Sequence, residues 1–271
     1  MCGFKFFNPA LKFFAAALVL LCAWLFLRSA TGNPGAGSPA GAPARKTVLA
    51  ELFTSEGCSS CPPADALLGH LRQDLADRGF EVIPLGFHVD YWNSLGWKDR
   101  FSSPEFSHRQ EQYARALGVD GPYTPQMIVD GGMEFVGSNT VRAHTAIAQA
   151  AGHPQRAEIE LSAIAADKLM VHVTTAPAEN GGMVMLAVTE DNLTTKVGAG
   201  ENNGRELRHA AVVRELRQLG RIQGGSFKAD VPLTLEKEWK PADLHAVVFV
   251  QQGEAGEVLG ASSVPLLAQP R

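Results

Sequence analysis

Cys58 and Cys61 stand two residues apart where the chain changes from one pattern to another, and that junction constrains the fold more than any other feature. Upstream, residues 47–53 form a β-branched and apolar run. Downstream, Leu67, Leu68, Leu71 and Leu75 recur at helical spacing. Pro62 and Pro63 fall in the first helical turn, where the N–H groups have no intrahelical acceptor and proline costs little. Arg78-Gly79 closes the helix and a second apolar run follows over residues 80–89. The sum is a βαβ unit with a parallel strand pair and a right-handed crossover. Pro84 interrupts the second run, so it belongs at a bulge or on a side of the strand where no ladder bond is needed.

The pattern continues in the same style to about residue 153. Ser102-Ser103-Pro104-Glu105 opens a helix carrying Phe106, Tyr113, Ala114 and Leu117 at helical spacing, and Gly118 ends it. Residues 127–129 and 133–136 flank Asp130-Gly131-Gly132 as a β-hairpin, and a helix follows over about 138–151. The order β-α-β-α-β-β-α, with a C-x-x-C pair between the first strand and helix, predicts a thioredoxin-like domain over 47–153. Thr124-Pro125 precedes the hairpin, and in such a fold a cis proline stands there against the cysteine pair.

After His153-Pro154 helical periods give way to alternation. Ile159, Leu161 and Ala163 share one face, as do Leu169, Val171 and Val173, and Val184, Leu186 and Val188. Further runs at 211–216, 227–235, 246–251 and 258–262 bring the count to about seven strands, which predicts a mainly-β, sandwich-like second domain over 154–271.

Cysteine usage favours chemistry over architecture. The four cysteines are Cys2, Cys22, Cys58 and Cys61. The first two lie in an N-terminal segment (1–30) where Lys5 and Lys12 precede the apolar stretch 13–27 and Arg28. This reads as an export signal or N-terminal anchor: the stretch is shorter than the ~20 residues of a usual spanning helix, and both cleavage and membrane attachment stay open. Residues 31–46, rich in Gly, Pro, Ala and Ser, are a flexible tether. Cys58 and Cys61 therefore have only each other, or another molecule, as partners. So short a loop constrains the unfolded chain little, which makes the pair a poor staple. At the start of a helix, N–H groups and the dipole stabilise a thiolate. Cys58 is expected to be the exposed attacking sulfur and Cys61 the resolving one, with Ser59 and Ser60 as hydroxyl donors and Glu56 opposing by like charge.

Directly after the second strand, the segment His88-Val89-Asp90-Tyr91-Trp92-Asn93, with Trp97-Lys98-Asp99, lies at the end where open α/β sheets bind ligands. Asp90, Tyr91, Trp92 and Trp97 are candidates to line a groove beside Cys58. His88 reads as a hydrogen-bonded histidine at a strand end. His209, with no acidic or cysteine cluster near it in sequence, reads as a structural or surface residue. A net charge of −4 without a long basic run speaks against nucleic acid as a partner.

The stretch from Glu51 through Gly57-Cys58-Ser59-Ser60-Cys61-Pro62-Pro63-Ala64-Asp65 closely resembles a family of secreted bacterial thioredoxin-like proteins of unknown function. Residues 87–99, Tyr123-Thr124-Pro125-Gln126, Gly200-Glu201-Asn202-Asn203-Gly204-Arg205 and Val212-Val213-Arg214 resemble family segments too. The resemblance implies a thioredoxin-like domain followed by a β-rich one, usually exported, with Cys58 and Cys61 as the redox pair and Pro125 beside them. It implies no particular reaction.

The function expected from these residues is a periplasmic or secreted thiol–disulfide oxidoreductase acting on protein thiols or disulfides, with no cofactor. Two other readings stay open: a copper-binding accessory protein using Cys58, Cys61 and His88, since thiolate and imidazole suit Cu(I), and a non-catalytic binding module with a structural disulfide.

Overall fold

The computed structural model of the protein describes residues 46–165 and 167–266. The expected export segment and, apart from Lys46, the tether lie outside these residues. The first half runs β1 (Lys46–Thr54), α1 (Pro62–Asp74), β2 (Phe80–His88), α2 (Pro104–Leu117), β3 (Gln126–Val129), β4 (Met133–Val136) and α3 (Thr140–Gly152). The elements read from the sequence are present in that order. Helix α2 is capped as its sequence indicates, the Ser103 hydroxyl accepting from the Glu105 N–H. The rest is strands: β5 (Ala157–Ala165), β6 (Lys168–Thr175), β7 (Met183–Glu190), β8 (Leu193–Lys196), β9 (Glu206–His209), β10 (Val212–Arg221), β11 (Ser226–Pro232), β12 (Leu244–Gln251) and β13 (Val258–Pro265).

The fold is mixed α/β, built on one mixed sheet of eight strands in the order β13-β12-β7-β10-β2-β1-β3-β4. β1 pairs parallel with β2 and antiparallel with β3. The expected division at 153/154 does not separate two sheets. β7, β10, β12 and β13 extend the sheet that β1 and β2 begin, and the described residues cluster as one compact unit. β10 joins β2 through a single parallel pairing, Val212 to Gly86, with the Gly86 N–H donating to the Ala211 carbonyl. Pro84, two residues earlier, points its missing N–H to that same side, beyond the pairing, so no ladder bond is lost.

Strand alternation decides what packs on each face. Leu49, Phe53, Ile83, Leu85 and Phe87 face α2, meeting Phe106 and Tyr113. Val48, Ala50, Leu52 and Val82 face the other way, onto Leu67, Leu68 and Leu71 of α1 and Ala143 and Ile147 of α3. Farther along the sheet, that role passes to a three-stranded sheet, β11-β6-β5. Its Leu169, Val171 and Val173 pack on Val184, Leu186 and Val188 of β7 and on Val248 and Val250 of β12. The alternating runs therefore do build a sheet-on-sheet layer, but one layer belongs to the common sheet.

One charged group lies on the apolar α2 face. Glu51, fully buried, receives Arg109 through both carboxylate oxygens, at 2.7 and 3.0 Å. The Tyr113 hydroxyl donates to Glu51 (2.6 Å) while accepting from Arg109 and from Gln251 of β12 (2.7 Å). Every charge is paired, as burial in low dielectric demands. The network fastens β1, α2 and β12 together behind the segment that carries the cysteines.

Candidate active site

β1 delivers the chain from Thr54 into a tight turn. The Cys58 N–H donates to the Ser55 carbonyl and the Cys61 N–H to the Cys58 carbonyl, both at 3.2 Å. Cys61 is the N-cap of α1, with proline in the first turn. Cys58 and Cys61 are joined in a disulfide with their Cα atoms 5.4 Å apart. Ser59 and Ser60 between them are exposed, and the Ser60 hydroxyl lies 3.4 Å from the Cys58 sulfur. The expectation of an exposed Cys58 is corrected: both cysteines have no accessible surface.

A part of the chain 144 residues beyond Cys58 packs onto the backbone of this loop. β8 and β9 form a separate two-stranded hairpin whose tip folds onto the motif. The Asn202 side-chain amide, fully buried, donates to the carbonyls of both Glu56 and Cys58 at 2.9 Å. The exposed Glu201 carboxylate accepts from the Ser59 N–H at 3.0 Å, and the Ser59 hydroxyl, then this N–H, hold its carboxyl below the usual range.

The aromatic segment after β2 is divided. Trp92 lies against Gly57, where a Cβ would stand 3.2 Å from that of Trp92, and its indole N–H donates to the Thr124 hydroxyl at 2.9 Å. The Thr124–Pro125 peptide is cis. At Gly137 a Cβ would stand 3.3 Å from Pro125 Cβ and 3.4 Å from Ala64 Cβ, so Pro125 is close to the first turn of α1, and glycine permits the approach. Trp97 donates to Glu56 at 2.8 Å. Asp90 and Tyr91 turn instead to α2, bonding Ser107 and Gln110. Trp92 and Trp97 thus touch the cysteine loop, while Asp90 and Tyr91 make their hydrogen bonds to α2.

Beside the loop lies a buried ionisable cluster. His88 Nδ1 is 2.6 Å from Asp99, whose same oxygen accepts the Glu56 N–H at 2.9 Å. Burial disfavours charge on His88, but Asp99, then Asp65 and Glu56, outweigh it and raise the imidazole pKa. Burial likewise works against the Asp99 carboxylate, and His88 with the Glu56 and Phe101 N–H groups overcomes it, lowering the pKa. Below the raised imidazole pKa the pair is an imidazolium and a carboxylate. Asp65, in the first turn of α1, is pushed up by burial against the pull of His209 and His88.

His209, expected to be structural or superficial, is buried with its ring 4.9 Å from that of His88 and its Nε2 3.3 Å from Glu56. That approach lacks a hydrogen-bond angle, so Glu56 Oε1 and both His209 nitrogens have no aligned partner. A cleft of about 420 Å³ lined by Asp65, His70, Asn192, Thr194, Arg208 and His209 reaches this cluster from outside. Sequence reading missed His209, Asp65 and Asn202. Their signal is spatial: a distant hairpin brings His209 and Asn202 to the cysteine loop, and nothing in the spacing of Asp65 shows that its place in the first turn of α1 is buried. Among the described residues, no group of three or more His, Cys, Asp or Glu is arranged to hold a metal ion, and no helix is long and apolar enough to cross a membrane.

A mixed α/β chain with a buried disulfide in a strand-to-helix turn is the class that fold and site define. The chain belongs to the family described as Protein of unknown function (DUF1223), whose pattern matches residues 49–251. It is similar to a crystallographically solved Agrobacterium tumefaciens protein, with 25% identity and a TM-score of 0.68 over 85% of this chain and 99% of that one. A domain of the outer membrane lipoprotein Omp28 from Porphyromonas gingivalis matches 42% of this chain and 90% of its own at 15% identity, with a TM-score of only 0.23. No curated protein matches.

Proposed function

We propose that the chain is an exported, thioredoxin-like thiol–disulfide oxidoreductase whose reacting group is the Cys58–Cys61 pair. The observation that carries this reading is the disulfide at the N-terminus of α1 with cis-Pro125 beside that helix's first turn. The strand order β2-β1-β3-β4, with β1 and β2 parallel and the hairpin antiparallel, supports the thioredoxin-like half. A disulfide that persists also suits an oxidising compartment, in keeping with the export segment read from the sequence.

In the exchange, a thiolate of a partner protein attacks the Cys58 sulfur, a new S–S bond forms, the Cys58–Cys61 bond breaks, and Cys61 leaves as a thiolate that takes up a proton. A second partner thiol, on loss of its proton, attacks the mixed disulfide and is oxidised as Cys58 is released reduced. The reverse sequence oxidises the pair's own thiols at the expense of a partner disulfide. The α1 dipole and the Ser60 hydroxyl, 3.4 Å from the Cys58 sulfur, favour thiolate at this position, while Pro62 and Pro63 offer no N–H and those of Ala64 and Asp65 donate to the Cys61 carbonyl.

The test is equilibration of the pair in glutathione buffers, with a Cys61→Ser variant to trap partners. A reversible midpoint and trapped mixed disulfides support the exchange. An inert pair makes the bridge structural, and retention of Cu(I) by the reduced form replaces the reading with a copper-binding one.

A further inference from the structure

The motif's backbone is a small polar cradle, and the chain fills it with its own side chains. Two carbonyls, of Glu56 and Cys58, both accept from the single side-chain amide of Asn202, the Cys58 carbonyl accepting from the Cys61 N–H as well. The adjacent Ser59 N–H is satisfied by Glu201. These two occupants are consecutive residues at the tip of a hairpin that belongs to neither larger sheet. The tip is closed on itself: Gly204 N–H donates to the Val197 carbonyl, Val197 N–H to the Arg205 carbonyl, and Arg205 to the Asn202 side-chain oxygen at 2.7 Å. Gly198 and Gly200 lie over Trp97, at 3.4 and 3.2 Å from where a Cβ would stand. Val197 is the large apolar side chain buried at the tip, while Gly198, Gly200, Asn203, Gly204 and Arg205 are exposed. Such a segment opens at lower free energy than the strands beneath it.

In the structure with the tip seated, both cysteines are inaccessible. We propose that this cradle is the docking point for a segment of the partner protein carrying a carboxylate next to a side-chain amide. On this reading the Glu201-Asn202 tip is a built-in occupant that lifts to admit it. The proposal takes its purpose from the redox reading, but its test is a rate, not a potential. Asn202→Asp keeps the side chain's shape and replaces a double donor by a carboxylate facing two carbonyls.

At about fivefold for each hydrogen bond lost, Asn202→Asp is expected to speed reduction of Cys58–Cys61 by dithiothreitol roughly thirtyfold, with Asn202→Ala close behind. Glu201→Gln, at an exposed position, gives roughly threefold, because a neutral acceptor remains. Hydrogen exchange of the unmutated protein is the second measurement. The Ser59 amide and the tip amides are expected to exchange through one shared opening, well before β1. Folded variants reduced at the unmutated rate within twofold, or a Ser59 amide released only with β1, overturn the gate. An inert midpoint in glutathione with accelerated variants instead leaves the gate standing and removes the redox function.

Discussion

Asp130 offers the sharpest link between a local geometry and a measurable quantity. It sits in the β3–β4 turn with a positive φ of 45°, accepts the Leu49 N–H on its side chain at 2.7 Å, and takes the Val258 N–H on its carbonyl. Burial, and then the nearby carboxylates of Glu257 and Glu51, push its carboxyl up to about 7 against the pull of the Leu49 N–H. The unfolded chain loses this proton near 3.8. The folded chain therefore binds the extra proton between roughly pH 4 and 7. A raised carboxyl pKa stabilises fully below the unfolded value, and that stability is lost as pH rises through the folded one. A shift of about 3 units at about 1.36 kcal/mol each sets an upper limit near 4 kcal/mol, and partial solvent contact brings the expectation to roughly 2–4 kcal/mol. Asn is at home in the left-handed region and keeps the oxygen that accepts from Leu49. Asp130→Asn is thus expected to be more stable than the unmutated protein by that amount at pH 8 and equal to it at pH 4, read by urea unfolding at both. A difference that does not change with pH, or a loss of stability at pH 8, refutes the reasoning.

Two further perturbations address buried charge. Arg109→Met leaves the Glu51 carboxylate buried without its partner and is expected to cost about 3–5 kcal/mol in urea unfolding; a loss under 1 kcal/mol contradicts the closed network around Glu51. For the His88–Asp99 pair the raised imidazole pKa gives stability present below pH 6.5 and lost as pH rises through the folded value, while the lowered Asp99 pKa gives stability lost as pH falls below 3.8. Asp99→Asn is therefore expected to destabilise most at about pH 5, and a uniform loss across pH 3–9 argues against an ion pair.

Much of this architecture was legible because alternation and helical spacing report burial directly. Val48 and Leu49 announce opposite faces of β1, and Leu169, Val171 and Val173 announce one face of β6. Alternation does not say which strand a face will meet, and for that reason β7, β10, β12 and β13 read as a separate sandwich when they extend the sheet of β1. The hairpin of β8 and β9 escaped because Leu193–Lys196 and Glu206–His209 are too short to establish a period. With it went the contact of its tip with the cysteine loop. The cysteine pair and Pro125 were readable from their position between recognisable elements. His209 and Asn202 were not, because their partners lie in the β1–α1 turn and only the fold brings them there. Arg109 looked like an ordinary polar position on α2; nothing in its spacing shows that it faces a buried glutamate on β1.

The most direct test of the central claim is the midpoint of Cys58–Cys61 equilibrated against defined ratios of reduced and oxidised glutathione, with the cysteine state read by alkylation. A working exchange pair is expected to give a reversible midpoint between about −120 and −270 mV, the span of known disulfide exchangers. A midpoint below about −300 mV, where structural bridges lie, contradicts the account.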